Sequence, residues 1–290
     1  MFLAYLRYEK NRSEQTVRRY GSALRDFEAF FLSLDEGLEW ASVDADIIRR
    51  WMESLMDRGD IASTVNTSLS AIRSFFKFAL SRGLIEKDPA RMVAGPKKSK
   101  PLPVFVRENT MDQLIDHEEW DESDFYSVRA RTIIILLYEA GLRRSELAGL
   151  DDNDVDMDTR QLKVTGKRDK QRIVPFGEEL ARQLRQYVEL RDKTMPRLDS
   201  ALFVGNNGRR ITGSKVYTIV KENLTKVTSL KKRSPHVLRH SYATAMLNHG
   251  AGLESVKQLL GHESLDTTQV YTHTTFEQLK RVYKEAHPRG

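Results

Sequence analysis

A tyrosine near the C-terminal end of the sequence follows three side chains that could hold a phosphate group. The three are His236, Arg239 and His262, and the tyrosine is Tyr271. A tyrosine hydroxyl is a poor nucleophile at neutral pH because its pKa is about 10. It becomes useful when fixed charges stabilise the oxygens of a phosphodiester under attack. The set therefore predicts DNA strand cleavage through a covalent phosphotyrosine.

The first two phosphate-binding candidates belong to a predicted helix. Ser234 followed by Pro235 is typical of an N-cap and a first helical position, so His236 is expected in the first turn. Arg239 and His240 come three and four residues later and share a face with it. A helix N-terminus already attracts anions through its free N–H groups and its dipole. An ordinary surface helix, bonded to water or carboxylates, is the alternative.

His262 and Tyr271 lie in the segment that follows. An apolar helix is predicted to stop at Gly261 and to expose His262, which could equally bond to a carbonyl at the helix end. Asp266 and Gln269 have the spacing of a capping box, which places Tyr271 in the first turns of another helix. A tyrosine in such a position more often packs half-buried, so only its neighbours favour a nucleophile.

Another arginine comes from residues 140–147. Arg143 directly follows Gly141 and an apolar leucine, so its backbone is expected to be well fixed. A permanently charged guanidinium suits a phosphate on which negative charge grows. The alternative is a salt bridge from Arg143 or Arg144 to Glu146, and Glu146 is expected to orient an arginine in either case.

Lys167 lies at the tip of a predicted hairpin between residues 161–165 and 171–174. Hairpin tips commonly carry solvated lysines, so this position alone assigns no role. Arg168 and Lys170 are close competitors for any role given to Lys167.

The composition bounds the class of protein. The 290 residues suit two domains, and 40% hydrophobic with 30% charged residues is typical of a soluble globular protein. There is no cysteine, which excludes disulfides, thiolate metal sites and a cysteine nucleophile. The apolar run at residues 133–138 is too short to cross a bilayer, and no signal peptide is recognised. A cytoplasmic location is expected.

Charge is distributed unevenly along the chain. The net charge is only +6, but residues 209–239 contain nine basic residues and one acidic residue, Glu222. Residues 151–158 contain a run of aspartates. Such segregation suits one surface that faces a polyanion and another that faces water, although solvated surface faces explain it equally well.

The first part of the chain is predicted to be helical. Apolar residues spaced three and four apart predict a helix over residues 17–31, a second over 48–55 and a third over 65–79. Ser63 or Thr64 is expected to cap the third, and a short helix around Tyr5 precedes the first. Three prolines and three lysines between residues 95 and 103 predict an exposed linker, whose lysines could either lie along DNA or be solvated.

The second part is predicted to be helical around one small sheet. Helices are expected from about residue 110, over residues 128–140 with Gly141 as a left-handed cap, and over residues 142–148. The hairpin at 161–174 supplies two antiparallel strands, and residues 201–205 are expected to supply a third. The remainder is predicted to be helical.

The motifs together resemble the tyrosine recombinase (phage-integrase) family, and most closely its Xer branch. The resemblance rests on five motifs in the right order and covers essentially the whole chain: Gly-Leu-Arg143, Gly-Lys167, His236-x-x-Arg239-His240, Leu-Gly-His262 and Tyr271-Thr-His. It implies a mostly α fold with an N-terminal four-helix, SAM-like, core-binding domain at residues 1–95 and a linker at 96–103. An α+β catalytic domain with a small antiparallel sheet would follow at 104–290.

The resemblance also implies a role for each candidate. Tyr271 would be the nucleophile that forms a 3′-phosphotyrosine, and Lys167 the acid that protonates the departing 5′ oxygen. Arg143 and Arg239 would clamp the non-bridging oxygens. His236 would accept the tyrosine proton, and His262 would hydrogen-bond to the phosphate. Neither a metal, nor ATP, nor another cofactor is expected in this scheme.

The implied partners are double-stranded DNA and further recombinase subunits. The family suggests a clamp around the duplex and four protomers on two DNA sites, with residues 276–286 as a helix that docks onto a neighbouring subunit. A helix folded onto its own domain is the alternative. Whether a paralogous recombinase or a DNA translocase takes part stays open. Chromosome-dimer resolution is the expected role, and integration of a mobile element or non-catalytic DNA binding are the alternatives.

Overall fold

A computed structural model describes residues 1–97, 103–166, 169–261 and 273–289. Contacts divide the chain into two units, Met1–Pro101 and Leu102–Gly290. The predicted fold class is confirmed, since the described residues are mostly helical and the second unit contains one small antiparallel sheet. No helix in the described ranges is both long and apolar enough to span a membrane.

The first unit contains the four predicted helices. They are α1 (Phe2–Ala4, continued by a π turn over Tyr5–Glu9), α2 (Glu14–Leu34), α3 (Ala45–Asp57) and α4 (Ala62–Ser81). Ser13 caps α2 and Asp44 caps α3, each with a side chain that accepts a backbone N–H.

The predicted cap of α4 is wrong. The N-cap is Ile61, which has an extended backbone and offers no side-chain acceptor. Ser63 and Thr64 therefore lie inside the first helical turns rather than before them, because the helix begins at Ala62.

The core of the first unit is apolar and rich in aromatic rings. Phe27 is fully buried, its ring centroid lying 4.9 Å from that of Trp51 and 5.7 Å from that of Trp40. Phe31 and Phe76 extend the same cluster. Aromatic pairs at such distances add to the stabilisation that comes from burying apolar area, so this cluster fixes α2 against α3 and α4.

The second unit begins with α5 (Glu108–Asp112, continued by a π turn over Gln113–His117) and α6 (Phe125–Ala140). Nearly every residue of α6 is buried, as its apolar run predicts. The helix ends at Gly141, whose φ of 58° and ψ of 31° are left-handed. A Cβ atom at this position would lie 2.6 Å from the Tyr242 ring, so both the backbone and the space require glycine.

The sheet differs from expectation in one strand. Its strands are β1 (Val155–Asp156), β2 (Gln161–Thr165) and β3 (Gln171–Pro175), all antiparallel in the order β1-β2-β3. The predicted hairpin is confirmed, but the third strand is β1 rather than residues 201–205. Those residues form only isolated bridges. Their carbonyls accept hydrogen bonds from side chains instead. Arg191 donates to the carbonyls of Ala201 and Leu202, and Arg129 donates to the carbonyl of Val204.

In the described residues, five further α-helices lie between α6 and the last helix of the chain. They are α7 (Arg144–Gly149), which follows α6, and then α8 (Glu178–Thr194), α9 (Gly213–Val227), α10 (Pro235–Asn248) and α11 (Leu253–Leu260) after the sheet. The last helix of the chain, α12 (His273–Ala286), packs on α10, α11 and β3 of its own unit.

The packing of α12 bears on its predicted role as a docking helix. Leu279 and Tyr283 are buried against Tyr242 and Met246 of α10. The side chain of Phe276 lies outside the described part of the structure. In this single chain the helix therefore covers an apolar face of its own unit, and docking onto another subunit stays a prediction.

Candidate active site

Arg143 is held through its backbone and through its guanidinium group. Its backbone N–H donates to Glu146 Oε2 at 2.8 Å, and its Nη1 donates to Glu146 Oε1 at 2.6 Å. Its Nη2 donates to the carbonyl of Gly261 at 3.0 Å. The preceding Leu142 is fully buried, which anchors the backbone where α7 begins. With 39% of its side chain exposed, Arg143 is fixed in position and still accessible to a ligand.

Arg239 lies in α10 and is almost completely buried. Its Nη1 donates to the carbonyl of Gly141 and its Nη2 to that of Leu260, both at 2.6 Å. Burial, and next the nearby charge of Arg143, lower the pKa of Arg239 to about 10. The guanidinium therefore remains charged at neutral pH and stands beside that of Arg143.

His236 and His240 lie one turn apart on the same helix. Their ring centroids are 4.7 Å apart. Burial lowers the pKa of His236, and His240, Arg239 and Arg143 lower it further. His236 is therefore neutral at pH 7 and can accept a proton. Ser234 occupies the N-cap and Pro235 the first helical position, as the sequence predicts.

The carboxylate of Glu146 lies at the centre of the arginines. It accepts two hydrogen bonds from Arg143 and two from Arg172, and its Oε2 lies 3.9 Å from Nη1 of Arg239. Burial alone would raise its pKa, yet the bonds from Arg172 and Arg143 lower the pKa of Glu146 to about 2. Glu146 is therefore charged at all ordinary pH values and holds the arginines in place.

Three successive carbonyls at the end of α11 accept bonds from three different arginines. Arg172 Nε donates to Leu259 at 2.8 Å, Arg239 to Leu260 and Arg143 to Gly261. The last carbonyls of a helix have no partner within it and form the negative end of its dipole. Gly261 ends the helix, as predicted, and adopts a left-handed conformation with a φ of 66°. The helix end thus aligns the arginines.

Arg172 is the site residue that sequence reasoning missed. It lies in β3, where alternate residues face the same side, and it shares the buried side with Val174. A charged residue at a buried position of a strand needs a partner, so this pattern was the available signal. Its partners Glu146 and Leu259 are distant in sequence, which is why the strand pattern alone did not name them.

Three predicted site residues, Lys167, His262 and Tyr271, lie outside the described residues. The described ends of their segments can be placed. The hairpin turn closes with a bond from the Gly166 N–H to the Lys170 carbonyl at 2.7 Å, and a Cβ atom at Gly166 would lie 3.6 Å from Glu146 Oε1. The Gly166 end of this hairpin and the helix that precedes His262 therefore both adjoin the arginine cluster.

The basic stretch at 209–239 and the aspartate run are less separate than their sequences indicate. Arg210 donates to Asp151 Oδ1 at 2.5 Å and to the carbonyl of Leu150 at 3.0 Å. Asp152 is paired with Arg191 at 2.7 Å and with Arg197. One basic residue of the stretch and two aspartates thus form ion pairs within the protein. Fewer cations are therefore free to contact DNA than the number of basic residues in the stretch indicates.

The geometry favours phosphate chemistry. Arg143 and Arg239 offer fixed guanidinium groups, and His236 offers a neutral imidazole. In the ranges that the structure describes, no three His, Cys, Asp or Glu side chains are grouped so that they could hold a metal ion. Fixed guanidinium groups beside a neutral imidazole, in a helical unit preceded along the chain by another helical unit, suit a protein that acts on a phosphodiester.

The chain belongs to the phage integrase family. Residues 105–278 match that family, and residues 1–83 match its N-terminal SAM-like domain. Over 314 residues it is 37% identical to the tyrosine recombinase XerC of Chlorobaculum tepidum, covering 100% of this chain and 94% of that protein. Over 293 residues it is 38% identical to XerC of Mycobacterium sp. strain KMS, covering 100% and 98%. The chain is thus a site-specific tyrosine recombinase.

A solved structure has the same fold. The XerH site-specific recombinase, bound to a palindromic difH substrate after cleavage, superposes with a TM-score of 0.73. The match covers 94% of this chain and 80% of that one at 21% sequence identity, so it supports the fold alone.

Proposed function

We propose that this recombinase cleaves DNA by attack of Tyr271 on a backbone phosphate, and that its cellular role is resolution of chromosome dimers. The observation that carries the catalytic part is the fixed pair of guanidinium groups. Arg143 and Arg239 are tied to the carbonyls of Gly261, Leu260 and Gly141, which leaves their remaining N–H donors for a ligand. The likeness to proteins named XerC supports the cellular role over integration of a mobile element.

In the proposed reaction the two arginines hold the non-bridging oxygens of the scissile phosphate. Negative charge grows on these oxygens in the transition state, where preorganised donors contribute most. His236, neutral because burial and nearby cations lower its pKa, takes the proton from the Tyr271 hydroxyl. The new bond joins the tyrosine oxygen to phosphorus, and the bond to the 5′ oxygen of the next nucleotide breaks.

Lys167 then gives its proton to that 5′ oxygen, which leaves as a hydroxyl, and His262 donates a hydrogen bond to the phosphate. The product is a 3′-phosphotyrosine diester. Because a diester replaces a diester, the step is nearly isoenergetic, and the free 5′ hydroxyl of another strand can reverse it. Strand exchange of this kind requires no ATP.

The assembly follows from the same proposal. The core-binding domain at residues 1–95 would bind DNA, and the linker at 96–103 would connect it to the second domain. The catalytic domain at residues 104–290 would carry out the cleavage. Four subunits on two DNA sites, either identical or including a paralogous recombinase, would exchange strands, with α12 docking between neighbours and a DNA translocase as a possible activator. The proposed substrate is chromosomal DNA and the chain has no cysteine, so we propose a cytoplasmic location.

A suicide duplex tests the chemistry. Duplexes selected for binding from a random pool are nicked beside the cleavage point, so that the released fragment diffuses away and the covalent adduct accumulates. Wild type should form an adduct that migrates with DNA on a denaturing gel, and Tyr271→Phe should form none. Tyr217→Phe, at a tyrosine that is 39% exposed on α9, is the matched control and should retain the adduct.

Two results would contradict the proposal. No adduct with wild type on a bound duplex would reject covalent catalysis, and an adduct with Tyr271→Phe would reject the nucleophile. The cellular role is tested separately. Expression in a bacterium that lacks its own dimer-resolving recombinase should restore normal cell separation, and failure with an active enzyme would favour a mobile element.

A further inference from the structure

We propose that Arg172 is a positioning residue of the active site, which neutralises Glu146 so that Arg143 and Arg239 keep their charge for the phosphate. The inference rests on the proposed function and assigns a role to a residue outside the motif set. Arg172 itself faces away from solvent and uses its donors on protein atoms.

The contacts of Arg172 are those of a fixed group. Its Nη1 and Nη2 donate to the two oxygens of Glu146 at 3.1 and 2.9 Å, and its Nε donates to the carbonyl of Leu259 at 2.8 Å. Only 5% of the residue is exposed. A bidentate pair of this geometry, removed from water, is among the stronger side-chain interactions in proteins.

Charge explains why the pair matters for chemistry. The guanidinium groups of Arg143, Arg172 and Arg239 and the carboxylate of Glu146 together carry a net charge of +2. A phosphodiester gains a second negative charge as it is attacked, so a net charge of +2 complements the transition state. Without Arg172 the cluster would carry +1, and Glu146 would lose two of its four hydrogen bonds.

The geometry indicates which cations the Glu146 carboxylate would bind if Arg172 were lost. Its remaining cationic neighbours are Arg143 at 2.6 Å and Arg239 at 3.9 Å. A buried carboxylate without enough donors is costly, so it would draw both guanidinium groups towards itself. The two arginines that should meet the phosphate would be engaged by an internal anion instead.

Arg172 also joins two segments that carry proposed catalytic residues. It lies in the strand that follows the turn containing Lys167, and it bonds to the helix end that precedes His262. A change at Arg172 therefore reaches the hairpin, the arginines and the end of α11 together. A purely structural role would hold β3 against α11 without altering the charge at the phosphate, and this difference can be measured.

Charge rescue separates the two roles. Single-turnover cleavage of the suicide duplex is measured for wild type, Arg172→Gln, Glu146→Gln and the double variant. Arg172→Gln should cleave about 10–100-fold more slowly, the usual cost of losing a group that orients the residues in direct contact with a ligand. The double variant restores the net charge of +2, so it should cleave about tenfold faster than Arg172→Gln, a coupling typical of one ion-pair network.

Arg191→Gln is the matched control. Arg191 is 1% exposed, pairs with Asp152 and donates to the carbonyls of Ala201 and Leu202, so its loss costs the same kind of buried interactions in the same unit. Its cleavage rate on bound duplex should equal that of wild type. Thermal unfolding and DNA binding are recorded for every variant. Arg172→Lys, which keeps the charge, is measured as well and should cleave at close to the wild-type rate, so it tests the inference even if Arg172→Gln does not fold.

The outcomes distinguish this inference from the function on which it rests. No adduct with wild type rejects the proposed function and the inference with it. An active wild type with an equally fast Arg172→Gln overturns the inference alone. If only Arg172→Lys folds, a cleavage rate about tenfold or more below that of wild type overturns it, because the charge that should matter is still present. A double variant no faster than Arg172→Gln also overturns it, because additive losses are what a structural role predicts.

Discussion

The two units of the molecule differ in what they bury. In the described part of the first unit, every buried side chain is apolar. The second unit buries apolar residues too, but it also buries arginine, glutamate and histidine side chains: Arg129, Glu139, Glu146, Arg172, Arg191, Arg239 and His287. Apolar burial stabilises, whereas burying a charge is costly unless partners compensate for lost hydration. The first unit is therefore built for stability, and the second gives up part of its stability to hold a charged site.

The largest expected effect is on the aromatic core of the first unit. Phe27→Ala should lower the free energy of unfolding by about 3–5 kcal/mol, because it leaves a cavity among Phe31, Trp40 and Trp51. Urea unfolding followed by tryptophan fluorescence measures the loss. Leu32→Ala, at a residue of the same helix that is 38% exposed, should have a small effect. Equal losses for the two variants would contradict the comparison.

Next in size is the loss of either phosphate-facing arginine in the second unit. Arg143→Ala or Arg239→Ala should slow suicide-duplex cleavage by about 10²–10³-fold, as for removal of a charge-stabilising donor. The rate is measured on bound complex, so that weaker binding does not enter. Arg185→Ala, which removes an exposed cation paired with Glu178, should cleave normally. A normal rate in either active-site variant would exclude that arginine from the chemistry.

The third effect concerns the buried carboxyl group of Glu139, which lies beside α12. Burial, and next the nearby Glu179, raise the pKa of Glu139 from 4.5 to about 8. The folded protein then holds a proton that the unfolded chain has lost, so stability falls as pH rises between these values, by up to about 1.4 kcal/mol per pH unit. Glu139→Gln should abolish this fall.

The measurement for Glu139 is best made between pH 6.5 and 8. At lower pH His287, whose pKa burial lowers from 6.5 to about 3, gives a slope of opposite sign, since its stabilisation is lost as pH falls below 6.5. Urea unfolding of wild type and Glu139→Gln across the upper range isolates the carboxyl. If the free energy of unfolding changed equally with pH in the two proteins, Glu139 would already be ionised in the folded protein.

The smallest effect is expected at an ion pair on the surface of the first unit. Arg58 is 55% exposed and lies 3.0 Å from Asp26, which also accepts a bond from Trp51. Arg58→Ala should cost about 0.2–1 kcal/mol, and less in high salt, because water and ions screen exposed pairs. A loss as large as that of Phe27→Ala would show that charge matters equally in both units.

Helices were the part of the fold that sequence could predict. Apolar spacing placed α2, α3, α4 and α6, and Gly141 and Gly261 end helices where the pattern stops. These signals are local. The prediction of a third strand at residues 201–205 was wrong because carbonyls of this segment accept hydrogen bonds from the side chains of Arg129 and Arg191. These arginines are separated from the segment along the chain, so the local sequence does not reveal the contacts.

The site residues also divide into those that local sequence signals predict and those that such signals do not reveal. Arg143, His236 and Arg239 carry local helix-end signals, and the structure brings Arg143 and Arg239 to the same end of α11. Arg172 could not be assigned in this way, since its partners Glu146 and Leu259 lie 26 and 87 residues away. The roles of Lys167, His262 and Tyr271 stay predictions.

The row of carbonyls at the end of α11 makes the site sensitive to chain length at one place. Inserting a single residue within α11 would rotate its last turn by about 100° and carry Leu259, Leu260 and Gly261 away from all three arginines at once. An insertion in the loop at residues 249–252 leaves the helix intact and can be absorbed there. Related recombinases should therefore vary in length before this helix and keep a constant number of residues within it.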